Sequence, residues 1–103
     1  MAFKVIVTDK AFGELDEIFT TIAKDSPDNA VSWRASVLEQ MQSLEAFPLR
    51  HGLAPEAQAV GVQLHQIMHG KYRILYTVAA EHVTIHGIRH GHRRPMRPDE
   101  LPQ

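Results

Sequence analysis

Apolar positions in this chain recur with a helical period in its first half and a strand period in its second. Phe3 to Thr8 is rich in β-branched residues and predicts a short strand, ended by Asp9, which can cap a following helix. Phe12, Leu15, Ile18, Phe19 and Ile22 then fall at three- and four-residue steps and form one apolar stripe. Glu14, Asp16 and Glu17 lie off that stripe in the early turns, where acids suit the helix dipole. Ser26-Pro27-Asp28-Asn29 reads as a second helix start, with serine as cap and proline at the first helical position. Ala30, Trp33, Val37, Met41 and Leu44 continue a stripe toward Pro48, the expected stop. Only Lys24-Asp25-Ser26 separates the two helices, which predicts an antiparallel hairpin.

Residues 48–61 hold prolines, glycines and alanines and read as a crossing loop. From Val62 the pattern alternates. Val62 to Gln66 predicts a half-buried strand, His69-Gly70-Lys71 a turn, and Tyr72 to Val78 a strongly β-prone strand. Ala79 to Glu81 turns again, and His82 to Ile88 returns. The expected fold class is α+β: an N-terminal strand, an antiparallel two-helix hairpin, then a three-stranded antiparallel meander. The hairpin covers one face of a mainly antiparallel sheet and so satisfies both apolar surfaces. Residues 1–103 read as a single domain, with 92–103 as an irregular tail.

Composition narrows the chemistry. The chain has 103 residues, 44% hydrophobic and 22% charged, a globular balance. It has no cysteine, so a disulfide scaffold, a thiolate zinc site and a cysteine nucleophile are excluded. No apolar run can span a bilayer, and the N-terminus lacks a basic region followed by a long apolar stretch. No membrane association or signal peptide is therefore expected. The net charge of −1 hides an asymmetry. Residues 1–60 carry five Lys/Arg against nine Asp/Glu, a net of −4, and residues 61–103 carry six against three, a net of +3. Six of the seven histidines lie in that second part. Such a pole can attract a phosphate chain or an acidic protein segment, and it is equally what charge fluctuation gives in a small protein.

The order of elements and Gly70-Lys71-Tyr72-Arg73-Ile74-Leu75-Tyr76-Thr77-Val78 resemble the RelE/ParE superfamily of bacterial toxins, also called plasmid-stabilisation proteins. The basic cluster Ile88-Arg89-His90-Gly91-His92-Arg93-Arg94 and the helical Glu14-Leu15-Asp16-Glu17-Ile18 are similar to the family as well. The resemblance runs from about Phe3 to Pro95. It implies the toxin of a type II toxin–antitoxin pair: cytoplasmic, without cofactor or metal, bound by a cognate antitoxin and meeting operator DNA only through it. Two mechanisms occur under this fold. RelE-like members cut messenger RNA at the ribosome, and ParE-like members inhibit DNA gyrase.

The resemblance implies that, under the RNase mechanism, Arg73 matches an arginine that contacts RNA phosphate and Arg93 a second one that acts near the scissile phosphate. A guanidinium fork suits that role because it can grip two oxygens and offset developing charge. The plain alternative for Arg73 is a solvated strand residue paired with an acid. Histidine suits the acid and base roles, which makes His90 and His92 the further catalytic candidates. His86, His90 and His92 are evenly spaced and would share a face if the strand persists, while Thr77, Leu75 and Arg73 alternate likewise on its neighbour. Two departures favour the ParE-like branch. The strand before Tyr72 offers Gln63, Leu64, His65 and Gln66 in place of the lysines of RelE-like members, and no tyrosine follows Arg93. For gyrase binding the candidates are Arg89, Arg93, Arg94, Met96 and Arg97, planar cations with one adaptable apolar contact. Trp33, on the stripe of the second helix, reads as core or as an anchor for a partner helix. His65 and His69 read as strand and turn residues.

Overall fold

The structure is a computed structural model, and it describes residues 2–91. The first strand, β1, spans Lys4–Val7. Thr8 keeps an extended backbone, and its Oγ1 accepts a hydrogen bond from the Ala11 N–H at 3.1 Å. Thr8 is thus the cap, and Asp9, expected in that role, is the first residue inside helix α1 (Asp9–Asp25), where it still faces the positive end of the dipole. Ser26 is the whole connection to α2 (Pro27–Gln42). Its N–H closes α1 on the Ile22 carbonyl at 2.9 Å, and its hydroxyl accepts from the Asn29 N–H at 3.2 Å. One serine therefore satisfies orphan groups of both helices, which makes so tight a hairpin possible.

α2 ends at Gln42, earlier than Pro48 suggests. The Ser43 hydroxyl donates to the Gln40 carbonyl at 2.6 Å, and the last turn tightens into a 3-10 turn over Ser43–Glu45. Leu44 remains fully buried from that turn. Pro48 opens a second 3-10 turn, Pro48–Arg50, and a short helix α3 (Ala57–Val60) lies inside the expected loop. β2 spans His65–His69, starting three residues later than Val62. The reason is local. The Leu64 N–H bonds to the Val62 carbonyl at 3.0 Å, and its carbonyl accepts from Ala54 at 2.7 Å, so residues 62–64 serve the covering segment and not the sheet. β3 spans Tyr72–Ala79 and β4 His82–His90.

The four strands lie in the order β1-β4-β3-β2. β2, β3 and β4 form the expected antiparallel meander, and β1 joins parallel to β4 with Val5 beside Val83 and Val7 beside Ile85. Gly70 opens the first two-residue turn at φ +60°, and Ala80 occupies the equivalent place in the second at φ 53°. Ala11, Leu15, Val37, Met41, Leu44, Ile67, Ile74, Tyr76, Val83, Ile85 and Ile88 form one core between helices and sheet. Phe12, expected on the apolar stripe, is instead 42% exposed, because the buried line of α1 runs through Ala11 and Leu15. The outer face of the sheet carries a smaller cluster, Ala54 and Ala57 of the crossing segment on Leu64 and Leu75.

Candidate functional site

Register decides which candidates meet. β4 carries one extra residue opposite the Leu75/Tyr76 step, since Tyr76 pairs with Ile85 and Leu75 with Gly87. This bulge at His86 reverses the phase of everything after it. Arg73 and Arg89 consequently become direct cross-strand partners on the outer face, and His90 pairs with Tyr72 on the helix face. The shared face expected for His86 and His90 therefore does not form. His86 lies beside Thr77, Nε2 to Oγ1 at 2.8 Å, whereas the His90 ring meets the edge of Tyr72 at a centroid distance of 5.4 Å. Burial and the Lys10 charge hold the His86 pKa below its ordinary value. His92, Arg93, Arg94, Met96 and Arg97 lie outside the described residues.

Arg73 is 6% exposed, as is Arg89. Its Nη1 and Nη2 donate to Glu56 Oε1 and Oε2 at 2.9 and 2.7 Å, and Nη1 also donates to Gln66 Oε1 at 3.1 Å. The Glu56 side chain is 0% exposed. Like charges placed directly opposite in a sheet repel, and burial raises the penalty. The Glu56 carboxylate meets Arg73 with the planar, two-oxygen geometry that a guanidinium fork fits best. The pairing with an acid weighed for Arg73 is thus present, buried where a solvated pair was the expectation. Glu56 itself escaped sequence reading. It is a lone acid in an alanine- and proline-rich stretch, and nothing local marks it as inward-facing.

A second set of contacts fixes the neighbouring corner. Tyr76, fully buried, donates its hydroxyl to the Pro48 carbonyl at 2.5 Å. Burial pushes its pKa up to about 12 against a smaller opposing pull from Arg50. The His65 ring stacks on Tyr76 at 5.4 Å, and its Nδ1 bonds the His51 carbonyl at 2.8 Å. The His51 pKa is lowered by burial, and further by Arg50 and His65. At the other end of β2, the His69 ring bonds Ser36 Oγ at 2.9 Å. Trp33 is half-buried against the core and meets Tyr72 edge-on at 5.5 Å, so it serves as packing. Glu14 reaches from α1 to accept the Ile88 N–H at 3.1 Å just past the bulge. Among the described residues, no group of three or more His, Cys, Asp or Glu could hold a metal ion, and no helix is long and apolar enough to cross a membrane.

This architecture matches known proteins. Over 86% of the chain and 96% of the other, it superposes on a structure from the chromosomal ParDE toxin–antitoxin system of P. aeruginosa, with a TM-score of 0.71 and 16% identity. Over 87% and 92% it superposes on a structure from the RelBE2 toxin–antitoxin complex of Mycobacterium tuberculosis, with a TM-score of 0.63 and 22% identity. At such identities the likeness concerns the fold. A comparison with curated proteins finds no significant match. The family model for the ParE toxin of type II toxin–antitoxin systems, parDE, matches residues 5–95, a span that takes in α1, α2 and α3, all of β1 but its first residue, β2 to β4, and the start of the basic end. By that match the chain belongs to the ParE toxin family of type II toxin–antitoxin systems.

Proposed function

We propose that this toxin acts by binding and inhibiting DNA gyrase, and that a cognate antitoxin neutralises it by direct binding in the cytoplasm. The observation that carries the reading is the occupied fork of Arg73. RNA cleavage needs a cation at the phosphate with an acid and a base beside it. Here the Arg73 fork holds Glu56, and His90 stands on the opposite face of the sheet. A binding function needs none of this. It needs a surface, and we place that surface on the basic end. Arg89, buried at the end of β4, anchors it, and Arg93, Arg94, Met96 and Arg97 supply the contacts. The antitoxin assignment draws on the ParDE and RelBE2 assemblies of similar fold, and operator DNA is reached through that partner.

The test is induced expression with parallel readouts of DNA supercoiling and translation, alone and with the candidate antitoxin co-expressed. Altered supercoiling with continuing translation is expected, reversed by the antitoxin. Truncation after Gly91 should leave a folded, non-toxic domain. The second reading, a RelE-like ribosome-dependent endoribonuclease, draws on the likeness to the RelBE2 complex and on Arg73 and Arg93 as phosphate-holding candidates. It expects cleaved messages with normal supercoiling, and relief of toxicity by Arg93→Ala. That phenotype would displace the gyrase reading.

A further inference from the structure

We propose that residues 48–54 form an acid-released flap. The neutral His51 and His65 rings hold it against the sheet, and protonation of His51 frees it from Tyr76 and from the outer edge of β2.

The ring protons come first. The His65 Nδ1 lies 2.8 Å from the His51 carbonyl, which can only accept, so Nδ1 carries the proton and Nε2 keeps its lone pair. That Nε2 is buried with no hydrogen-bond partner among the described residues, and so is the Nε2 of His51. A proton on the His51 Nε2 would make a charged ring with a buried N–H and no acceptor. The groups packed against His51 add to that penalty. Arg50 precedes it, with its guanidinium tied to the Ala46 and Phe47 carbonyls at 2.5 and 3.3 Å. The Tyr76 ring stands at right angles to His51 at 6.5 Å, and His65 stacks on the same tyrosine at 5.4 Å. Burial first, then Arg50 and His65, hold the His51 pKa below its ordinary value. Tyr76, with its pKa pushed up to about 12, stays neutral in acid and offers no counter-charge.

The flap is held in a way that allows local release. It begins after Phe47, a non-glycine residue at φ 51°, a conformation that costs energy and that opening relieves. It ends at Ala54, beyond which the Glu56 carboxylate fastens the chain to Arg73. Between those points the ties are polar. The Tyr76 hydroxyl donates to the Pro48 carbonyl, the His65 ring to the His51 carbonyl and the Gln66 N–H to the Gly52 carbonyl at 3.1 Å, while the Ala54 N–H reaches Leu64 at 2.7 Å. Leu49 and Leu53 are 61% and 54% exposed, so the large apolar side chains of the flap add little burial to hold it. Leu53 bridges His65 in antiparallel register and covers the start of the outer edge of β2. Release therefore bares the Gln66 N–H at a sheet edge. This inference goes beyond the gyrase reading and does not depend on it.

The experiment uses the full chain between about pH 7.5 and about pH 5. It reads amide hydrogen exchange, corrected for the intrinsic effect of pH, together with the nitrogen NMR signals of the histidine rings. At the upper pH both rings should be neutral, with the His65 proton on Nδ1. Toward the lower pH, protection at Gln66 and Ala54 should fall by about tenfold or more, since one pKa unit between closed and open forms is about a factor of ten. Lys4, whose N–H holds the Glu81 carbonyl at 2.8 Å at the opposite edge of the sheet, should keep its protection. His51→Phe keeps a ring against Tyr76 and cannot titrate, and His51→Gln is a neutral polar control. Both should hold Gln66 protection flat across the range. The proposal is overturned if Gln66 and Ala54 lose no more protection than Lys4, if the His51 ring becomes charged while both amides stay protected, or if the pH dependence survives in both variants. Where both variants have already lost protection at the upper pH, the wild-type comparison of His51 ring charge with Gln66 protection decides alone.

Discussion

Replacing Glu56 by alanine should be among the most damaging single changes in this domain. The pair it forms with Arg73 is buried on both sides, with side-chain exposures of 8% for Arg73 and 0% for Glu56. Exposed ion pairs contribute about 0–1 kcal/mol, because solvent screens them and both side chains lose freedom. Removing one partner of a buried pair costs about 3–5 kcal/mol, since the remaining charge stays desolvated and unanswered. Arg73 would be left opposite Arg89, which raises the cost toward the upper end. Small domains are stable by only about 5–15 kcal/mol, so Glu56→Ala should lose a large share of the total. Urea unfolding of wild type, Glu56→Ala, Arg73→Met and a Glu56→Leu/Arg73→Met double variant reads this directly. Each single change should cost about 3 kcal/mol or more. The double variant should recover most of that loss, because replacing both partners by apolar groups removes the desolvation penalty with the charges. A Glu56→Ala cost below about 1 kcal/mol would place the pair in the exposed class and refute the reasoning.

Three further outcomes follow from the geometry. Tyr76→Phe should destabilise by about 1 kcal/mol near neutral pH through the lost bond to the Pro48 carbonyl, and unfolding midpoints report it. Because the folded pKa of Tyr76 is raised from 10.0 to about 12, wild-type stability should hold below pH 10 and fall as pH rises toward 12, a loss that the phenylalanine variant lacks. His51 and His86 have folded pKa values lowered from 6.5, so their contribution is present above that value and lost as pH falls through the depressed values. A His51→Gln/His86→Gln variant should show a flatter acid limb in Tm against pH. Ala80→Gly should raise stability by about 0.5 kcal/mol, because Ala80 sits at φ 53° and relief of its Cβ clash outweighs the entropy of glycine; a loss in urea unfolding would contradict that balance.

The fold was legible wherever one local rule acted alone. Ser26-Pro27 is a cap and a first-turn proline in one dipeptide, and the β-branched and aromatic run from Tyr72 to Val78 reads as a strand whatever packs on it. Legibility failed where distant partners compete. Val62 to Leu64 alternates like a strand, yet Leu64 spends its carbonyl on Ala54. Pro48 looks like a helix stop, yet the hydroxyl of Ser43 had already tightened the chain. Asp9 is a good cap by type, but Thr8 holds the cap backbone conformation and takes the role. The candidate site was half legible. Arg73 drew notice through family resemblance, while its partner Glu56 lies 17 residues earlier in a stretch without periodicity. The bulge at His86 had only the neighbouring Gly87 as a sequence mark, a weak one, and with it went the expected histidine face.

That bulge also explains why the outer face is cationic. Without it, strict alternation from Ile85 would turn Ile88 away from the helices and carry Arg89 inward with Ile85. The extra residue lets Ile85 and Ile88 both enter the core at a spacing of three, and Arg89 emerges opposite Arg73. The Glu14 carboxylate takes the Ile88 N–H immediately past the irregularity, so α1 secures the change of phase as well as covering it. The apolar demand of the core thus dictates the polar chemistry of the opposite surface. Once two isoleucines at an odd spacing must both face the helices, two arginines must share the other face. Glu56 brings a buried carboxylate to that face, carried by the crossing segment whose Ala54 and Ala57 pack on Leu64 and Leu75.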